Sequence, residues 1–301
     1  MKTDRILLVG DNAFHGISHL SQERAISRGK NLFNPEYAAG LVNTALDNGA
    51  DGFMFSVSDM TLSIIRIVCA HRKPKSVKLY AIVPYVFEFV RMAVTEGGIP
   101  GLSKKIGKDI IISANFNSII YGTKGLITTD PSSLLKAYLL YEESRIRRAA
   151  GKGGDLSSIF LHEVVSDMGI SLNLEWLFKS HIELLQKRGI KPGIHTHNLP
   201  ILVERLNEWR IDLDKIALTT QFNSLGFGMT PSREKCEQVL QDIQGNDIIG
   251  YGLLASGYVK IIDALKYING LPQLKTLALG ISNEQQAKET FKFIKREINI
   301  Y

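Results

Sequence analysis

The chain has 301 residues, 45% of them apolar, with 36 basic and 30 acidic side chains and two cysteines. That size buries a large core, in one α/β barrel or in two ordinary domains. The formal charge of +6 is spread along the chain, which argues for mild attraction to an anionic or phosphate-bearing small molecule and against a nucleic-acid surface. Cys69 and Cys236 each fall in an expected helix, so the pattern excludes a disulfide framework and a zinc motif, and the cytoplasm is the expected compartment. The apolar run after Met1-Lys-Thr-Asp-Arg5 is too short for a signal peptide, and no run is long enough to span a membrane. Oligomeric state stays open.

The apolar run at 6–9 predicts a first strand, followed by a long polar loop as far as Asn34. Asn34-Pro35-Glu36 starts a helix, with Asn as N-cap and Pro at the first helical position. A strand at 52–57, a helix at 59–71 and a strand at 78–83 continue the alternation. Between 85 and 130 the rhythm loosens around several glycines, with one strand-like run at 109–113, and the segment reads as an insertion. A helix resumes at Asp130-Pro131 and runs to about Ala150. The back half alternates regularly: strand 158–164, helix 173–188, strand 192–196, helix 200–209, strand 215–220, helix 231–244 and strand 247–253. Helix 257–268, strand 275–279 and helix 283–298 complete it. Apolar, β-branched strands separated by amphipathic helices mean parallel βαβ units. Eight of them predict a (βα)8 TIM barrel, a single domain over 1–301 with an insertion between strands three and four. A doubly wound sheet would carry a Gly-x-Gly-x-x-Gly turn after its first strand, and the chain has none there.

In such barrels the chemistry sits at the C-terminal strand ends. Five of the seven histidines, 15, 19, 162, 195 and 197, fall at strand ends or in the first loop, while His71 and His181 fall in helices. His15, His162, His195 and His197 are therefore the expected catalytic set. Glu163 follows His162, so in a regular strand only one of the two faces inward. His162 is the expected one, leaving Glu163 either in the packing layer or as a carboxylate supporting the site from behind, and Asp167 is a further candidate at this strand end. Ser256-Gly257 and Gly280-Ile281-Ser282 are small residues leading into helices after strands seven and eight, where backbone amides and helix N-termini favour phosphate. Ser282 also begins a Ser-Asn-Glu-Gln pattern that suits the N-cap of the last helix.

These strand ends resemble the aldo-keto reductases over roughly the last half of the chain. Ile159-Phe-Leu-His162 is similar to that family's fourth-strand ending, Gly189 to Asn198 to its fifth-strand region, and Thr220-Gln221-Phe-Asn223 to its sixth. Ile249-Gly-Tyr251-Gly-Leu-Leu-Ala-Ser256-Gly257 and Leu279-Gly280 through Glu289 resemble its seventh and eighth. The resemblance implies an oxidoreductase of small carbonyl or alcohol substrates using NAD or NADP. Asn198 and Gln221 would hold the nicotinamide amide and Tyr251 would stack on its ring. Ser256, Gly257, Gly280 and Ser282 would surround the phosphates, Glu289 would approach the adenine, and His162 would polarise the carbonyl. The family's Asp, Tyr and Lys have no match after strands two and three.

Two other classes compete. His195-Thr-His197-Asn198 is similar to the His-x-His-Asn of HMG-CoA-lyase-type enzymes, which implies a divalent metal held by Asp11, His195 and His197 in a lyase, aldolase or hydrolase. A ligand-binding barrel without catalysis is the third.

Overall fold

The computed structural model describes residues 5–15, 34–72, 76–85, 95, 130–243 and 247–298. Eight parallel strands close on themselves in the order β1 to β8: Ile6–Gly10, Gly52–Ser56, Val77–Val83, Gly154–Leu161, Lys191–His195, Ala217–Gln221, Asp247–Tyr251 and Thr276–Gly280. The described helices are α1 Pro35–Asp47, α2 Asp59–His71, α3 Pro131–Ala150, α4 Glu163–Ser171, α5 Glu175–Lys187, α6 Leu199–Glu208, α7 Arg233–Asp242, α8 Ile261–Asn269 and α9 Glu284–Ile298. The expected insertion at 85–130, its strand-like run at 109–113 and His19 lie almost wholly outside the described residues. None of the described helices is long and apolar enough to cross a membrane.

Local chemistry sets the helix starts. Asn34 accepts the Glu36 amide at 2.8 Å, Asp130 accepts those of Ser132 and Ser133, and each is followed by proline at a position that needs no N–H. Ser58 and Thr61 form a reciprocal box at the start of α2, with amide-to-hydroxyl distances of 3.0 and 3.2 Å. The last helix differs from expectation. Asn283, not Ser282, caps it by accepting the Gln286 amide at 2.9 Å, and Gln286 Oε1 reaches back to the amide and hydroxyl of Ser282.

Strand alternation divides the core in two. Leu7, Val9, Leu79, Ala81, Ile159 and Leu161 point outward under the helices, while Leu8, Met54, Ile82, Phe160, Ala217, Ile249 and Ala278 fill the barrel. A register shift between Leu79 and Tyr80 skips Ser157 on β4 and so sets the phase that turns Phe160 inward. Gly193 makes room for it: a Cβ there would lie 2.2 Å from the Phe160 ring. At the opposite end from the strand C-termini, the buried Arg5 closes the sheet. Its guanidinium donates to the carbonyls of Leu274, Ile268 and Leu271 at 3.0, 2.8 and 3.3 Å and to Asn269 Oδ1 at 2.9 Å.

His181 on α5 is fully buried, with Nε2 3.0 Å from the Gly193 carbonyl oxygen. Burial holds the imidazole neutral and lowers its pKa to about 4. In the unfolded chain the same group binds a proton near pH 6.5. Stability is therefore complete above that value and falls as pH drops from about 6.5 to 4, by about 1.4 kcal/mol per unit and roughly 3 kcal/mol in all. Urea unfolding across this window should show that slope, and His181→Gln should flatten it relative to wild type.

Candidate active site

The inner row of each strand, continued by two residues, produces the mouth of the barrel. Beyond Phe160 stands His162, beyond Gly193 stands His195, and beyond Ile249 stands Tyr251. Met54 is followed by Ser56, Ala278 by Gly280, and Ala217 by Thr219 and Gln221. The ring centroids of His162 and His195 are 6.2 Å apart, those of His195 and His197 6.4 Å. His195 meets Tyr251 edge-on at 4.9 Å. Three of the four expected histidines thus form one row, and His15 stands across the barrel from them.

Two carboxylates organise the row. β4 ends at Leu161, earlier than expected, and His162 is the N-cap of α4, its Nδ1 accepting the Val164 amide at 3.2 Å. The break in strand geometry decides between the two places open to Glu163, in favour of support for the site. Glu163 Oε2 lies 3.3 Å from His162 Nδ1 and 2.6 Å from His195 Nδ1, so the carboxylate belongs to the site. The His195 contact is not aligned as a hydrogen bond, and neither ring nitrogen of this buried imidazole makes a hydrogen bond with a described residue. Burial alone would raise the Glu163 carboxyl, but His195 and His162 outweigh it and bring it down to about 2. His162 moves the other way: burial lowers its pKa despite Glu163. Since Nδ1 accepts a hydrogen bond, the neutral ring carries its proton on Nε2.

Asp167 does for His197 what sequence reading did not foresee. One carboxylate oxygen accepts the Thr196 hydroxyl at 2.6 Å, and the other lies 2.9 Å from His197 Nδ1 and 3.3 Å from its amide. The contact fixes the proton on Nδ1, leaves Nε2 at a half-exposed surface, and raises the His197 pKa against the opposing effect of burial. Asp167 lies on α4, a helix absent from the expected element order. Its place after the fourth strand end marks it as a candidate in the sequence, but its pairing with His197 depends on the helix.

A second dyad lies at the end of β1. His15 Nε2 is 3.0 Å from Asp11 Oδ2 in a buried pair, the same oxygen accepts the Ser56 amide at 2.7 Å, and the Tyr85 ring stacks at 4.7 Å on His15. Asp11 is thereby committed to the β1 side. It does not join His195 and His197, and among the described residues no group of three His, Cys, Asp or Glu side chains is placed to hold a metal ion.

The residues expected around a dinucleotide divide into two groups. Gln221 is engaged with the Tyr251 hydroxyl, while burial raises the Tyr251 pKa. Gly228 (φ +70°) lies against Gln221, and a Cβ there would come within 2.0 Å of its Oε1. Gly228→Ala should displace Gln221 and loosen Tyr251, a change readable as a shift in tyrosine fluorescence or ring chemical shifts. Ser282 is engaged by Gln286, and Glu289 is exposed on α9 beside Gln285. Asn198 caps α6 through Oδ1, 3.2 Å from the Ile201 amide, and its amide nitrogen makes no hydrogen bond with a described residue. After β7, Ala255 and Ser256 adopt left-handed φ of 43° and 61°. The amides of Ala255, Gly257 and Tyr258 bond within that loop. Gly280 is exposed and open at the end of β8.

No family model and no curated protein matches the chain. Solved structures do. PA4992 from Pseudomonas aeruginosa, provisionally called an aldo-keto reductase, superposes with a TM-score of 0.59 at 12% identity, covering 97% of this chain and 90% of its own. Glycerol dehydrogenase AKR11B4 from Gluconobacter oxydans gives 0.51 at 12% identity, covering 100% and 95%. The chain has the barrel fold of solved aldo-keto reductases. The likeness spans the front half as well as the back, although the back half alone carries the motif resemblance. At this identity it is a likeness of fold, and function must be argued from the site.

Proposed function

We propose that the barrel is an oxidoreductase of small carbonyl or alcohol substrates, with His162, His195 and His197 at its reaction centre. The observation that carries this reading is the pairing of a neutral His162 with a carboxylate-held His197 on neighbouring strand ends of an aldo-keto-reductase-like barrel. A carbonyl reduction needs a proton donor beside the acceptor. The Asp167 contact keeps His197 protonated to higher pH than an ordinary imidazole, so its exposed Nε2 supplies the proton on reduction and receives it on oxidation. His162 Nε2–H donates to the substrate oxygen and orients it. Glu163 keeps a negative charge beside His195, 2.6 Å from its Nδ1.

A nicotinamide dinucleotide, NAD or NADP, would supply or accept hydride when bound. Asn198, Tyr251, Ser256, Gly257 and Gly280 are the residues that would hold it, with Gln221 acting through Tyr251 and Gln286 through Ser282. Glu289 would lie toward the adenine end. A phosphate-bearing ligand also suits the chain's positive charge, and the cytoplasm suits its two free cysteines. Fluorescence titration with the oxidised and reduced forms of both dinucleotides tests the reading. Saturable binding that Asn198→Ala and Ser256→Pro weaken is expected, and absence of binding by all four forms removes the cofactor.

A further inference from the structure

We propose that the same mouth catalyses a second, cofactor-independent reaction: proton exchange next to the carbonyl of short α-hydroxy aldehydes and ketones, shared between two His–Asp dyads on opposite walls. The proposal rests on the mouth being the active site and not on a dinucleotide.

Three observations carry it. First, each dyad has the same construction, an imidazole oriented by a carboxylate at about hydrogen-bond distance: His15–Asp11 at 3.0 Å and His197–Asp167 at 2.9 Å. An imidazole so held exposes one defined nitrogen for proton transfer. Second, the dyads face each other. His15 follows β1 and His197 follows β5, and in the closed order β1 to β8 these strands are four apart in either direction. His162, at the end of β4 beside β5, stands with the His197 dyad on one wall, and the His15 dyad stands on the other. Third, the mouth is floored by groups that bind oxygen without being used elsewhere. His162 Nε2 carries a proton and makes no hydrogen bond with a described residue, and the more than nine-tenths buried His195, with Glu163 Oε2 2.6 Å from its Nδ1, has Nε2 without a hydrogen bond to any described residue. Hydride transfer needs one proton donor and leaves the His15 dyad without a task.

The step balances without an external oxidant. His15 takes the proton from the carbon bearing the hydroxyl, and the C–H electron pair becomes the C=C bond of an enediol. The carbonyl π pair takes a proton from His197. His197 then recovers a proton from the other enediol hydroxyl while His15 returns its own to the former carbonyl carbon. Both dyads end as they began, and the carbonyl has moved by one carbon. His162 and His195 hold the two enediol oxygens, the groups on which charge develops.

The test is deuterium incorporation, followed by proton NMR, into dihydroxyacetone and glyceraldehyde in D2O with the full chain and no nucleotide. Exchange well above the buffer rate is expected. His15→Gln and His197→Gln should each lower it at least a hundredfold, and His71→Gln, on the outer surface of α2, should not. Asp11→Asn provides a second reading on the β1 dyad should His15→Gln not fold. Wild-type exchange no faster than buffer overturns the proposal, as does full exchange in either dyad variant. Dinucleotide titration of the same sample separates the two readings: exchange without binding removes the oxidoreductase alone, and binding without exchange removes this reaction alone.

Discussion

A His197→Gln enzyme is expected to reduce carbonyl substrates about a hundred to ten thousand times more slowly in kcat, the range that a positioned acid or base contributes, with little change in KM. The reason is the division of labour at the mouth. Substrate oxygen is oriented by His162, whereas His197 supplies the proton, and only the proton is missing in the variant. Asp167→Asn should act through His197 and move the pH profile. With the carboxylate present His197 has a raised pKa, so reduction persists to higher pH and declines as the imidazole deprotonates. Without it the decline should begin at lower pH, and the His197 ring protons should titrate correspondingly earlier by NMR. An Asp167→Asn enzyme with an unmoved profile would show that His197 is not the donor.

Phe160→Ala should cost about 3–5 kcal/mol, the usual range for deleting a buried aromatic side chain. For a chain of this size that is a fall in Tm of about 5–8 °C. Phe160 is fully buried in the barrel interior, packed in one cluster with Leu8, Met54, Ile82, Ala217, Ile249 and Ala278. Gly193→Ala should also destabilise, because its Cβ would meet the Phe160 ring at 2.2 Å. The two should not add. Once the ring is gone the alanine methyl enters vacant space, so the double variant should be no less stable than Phe160→Ala alone. Additive losses in thermal unfolding would mean that Gly193 is required for some other reason.

Much of this was legible in the chain. Alternation of apolar strands and amphipathic helices gave the barrel, and α2 was placed to the residue because Ser58 and His71 bound it clearly. The histidines at strand ends pointed to the mouth because period-two strands carry an inner row into it. What was not legible is instructive. The β-branched run at Glu163-Val164-Val165 reads as strand, yet it forms the start of α4, capped by His162. Helix α4 hides because it presents apolar side chains outward: Val164, Met168 and Leu172 are all exposed, so no polar face marks it. Missing α4 hid the pairing of Asp167 with His197, and it also forced a choice between His162 and Glu163 that the real backbone does not make. Ser282 failed for a smaller reason, since Asn283 offers the better-placed cap one residue on.

The Arg5 clasp bears on how the chain comes together in time. Its guanidinium bonds to Leu274, 269 positions away, and among the described residues all its partners are carbonyl or amide oxygens from the last two βα units. A buried cation without partners costs several kcal/mol. Until those units dock, Arg5 must stay hydrated, and the start of β1 with it. Contacts so distant in sequence form late and slowly. The first strand to be synthesised is therefore held open for the last, and the sheet can seal only when every unit between them is already in place.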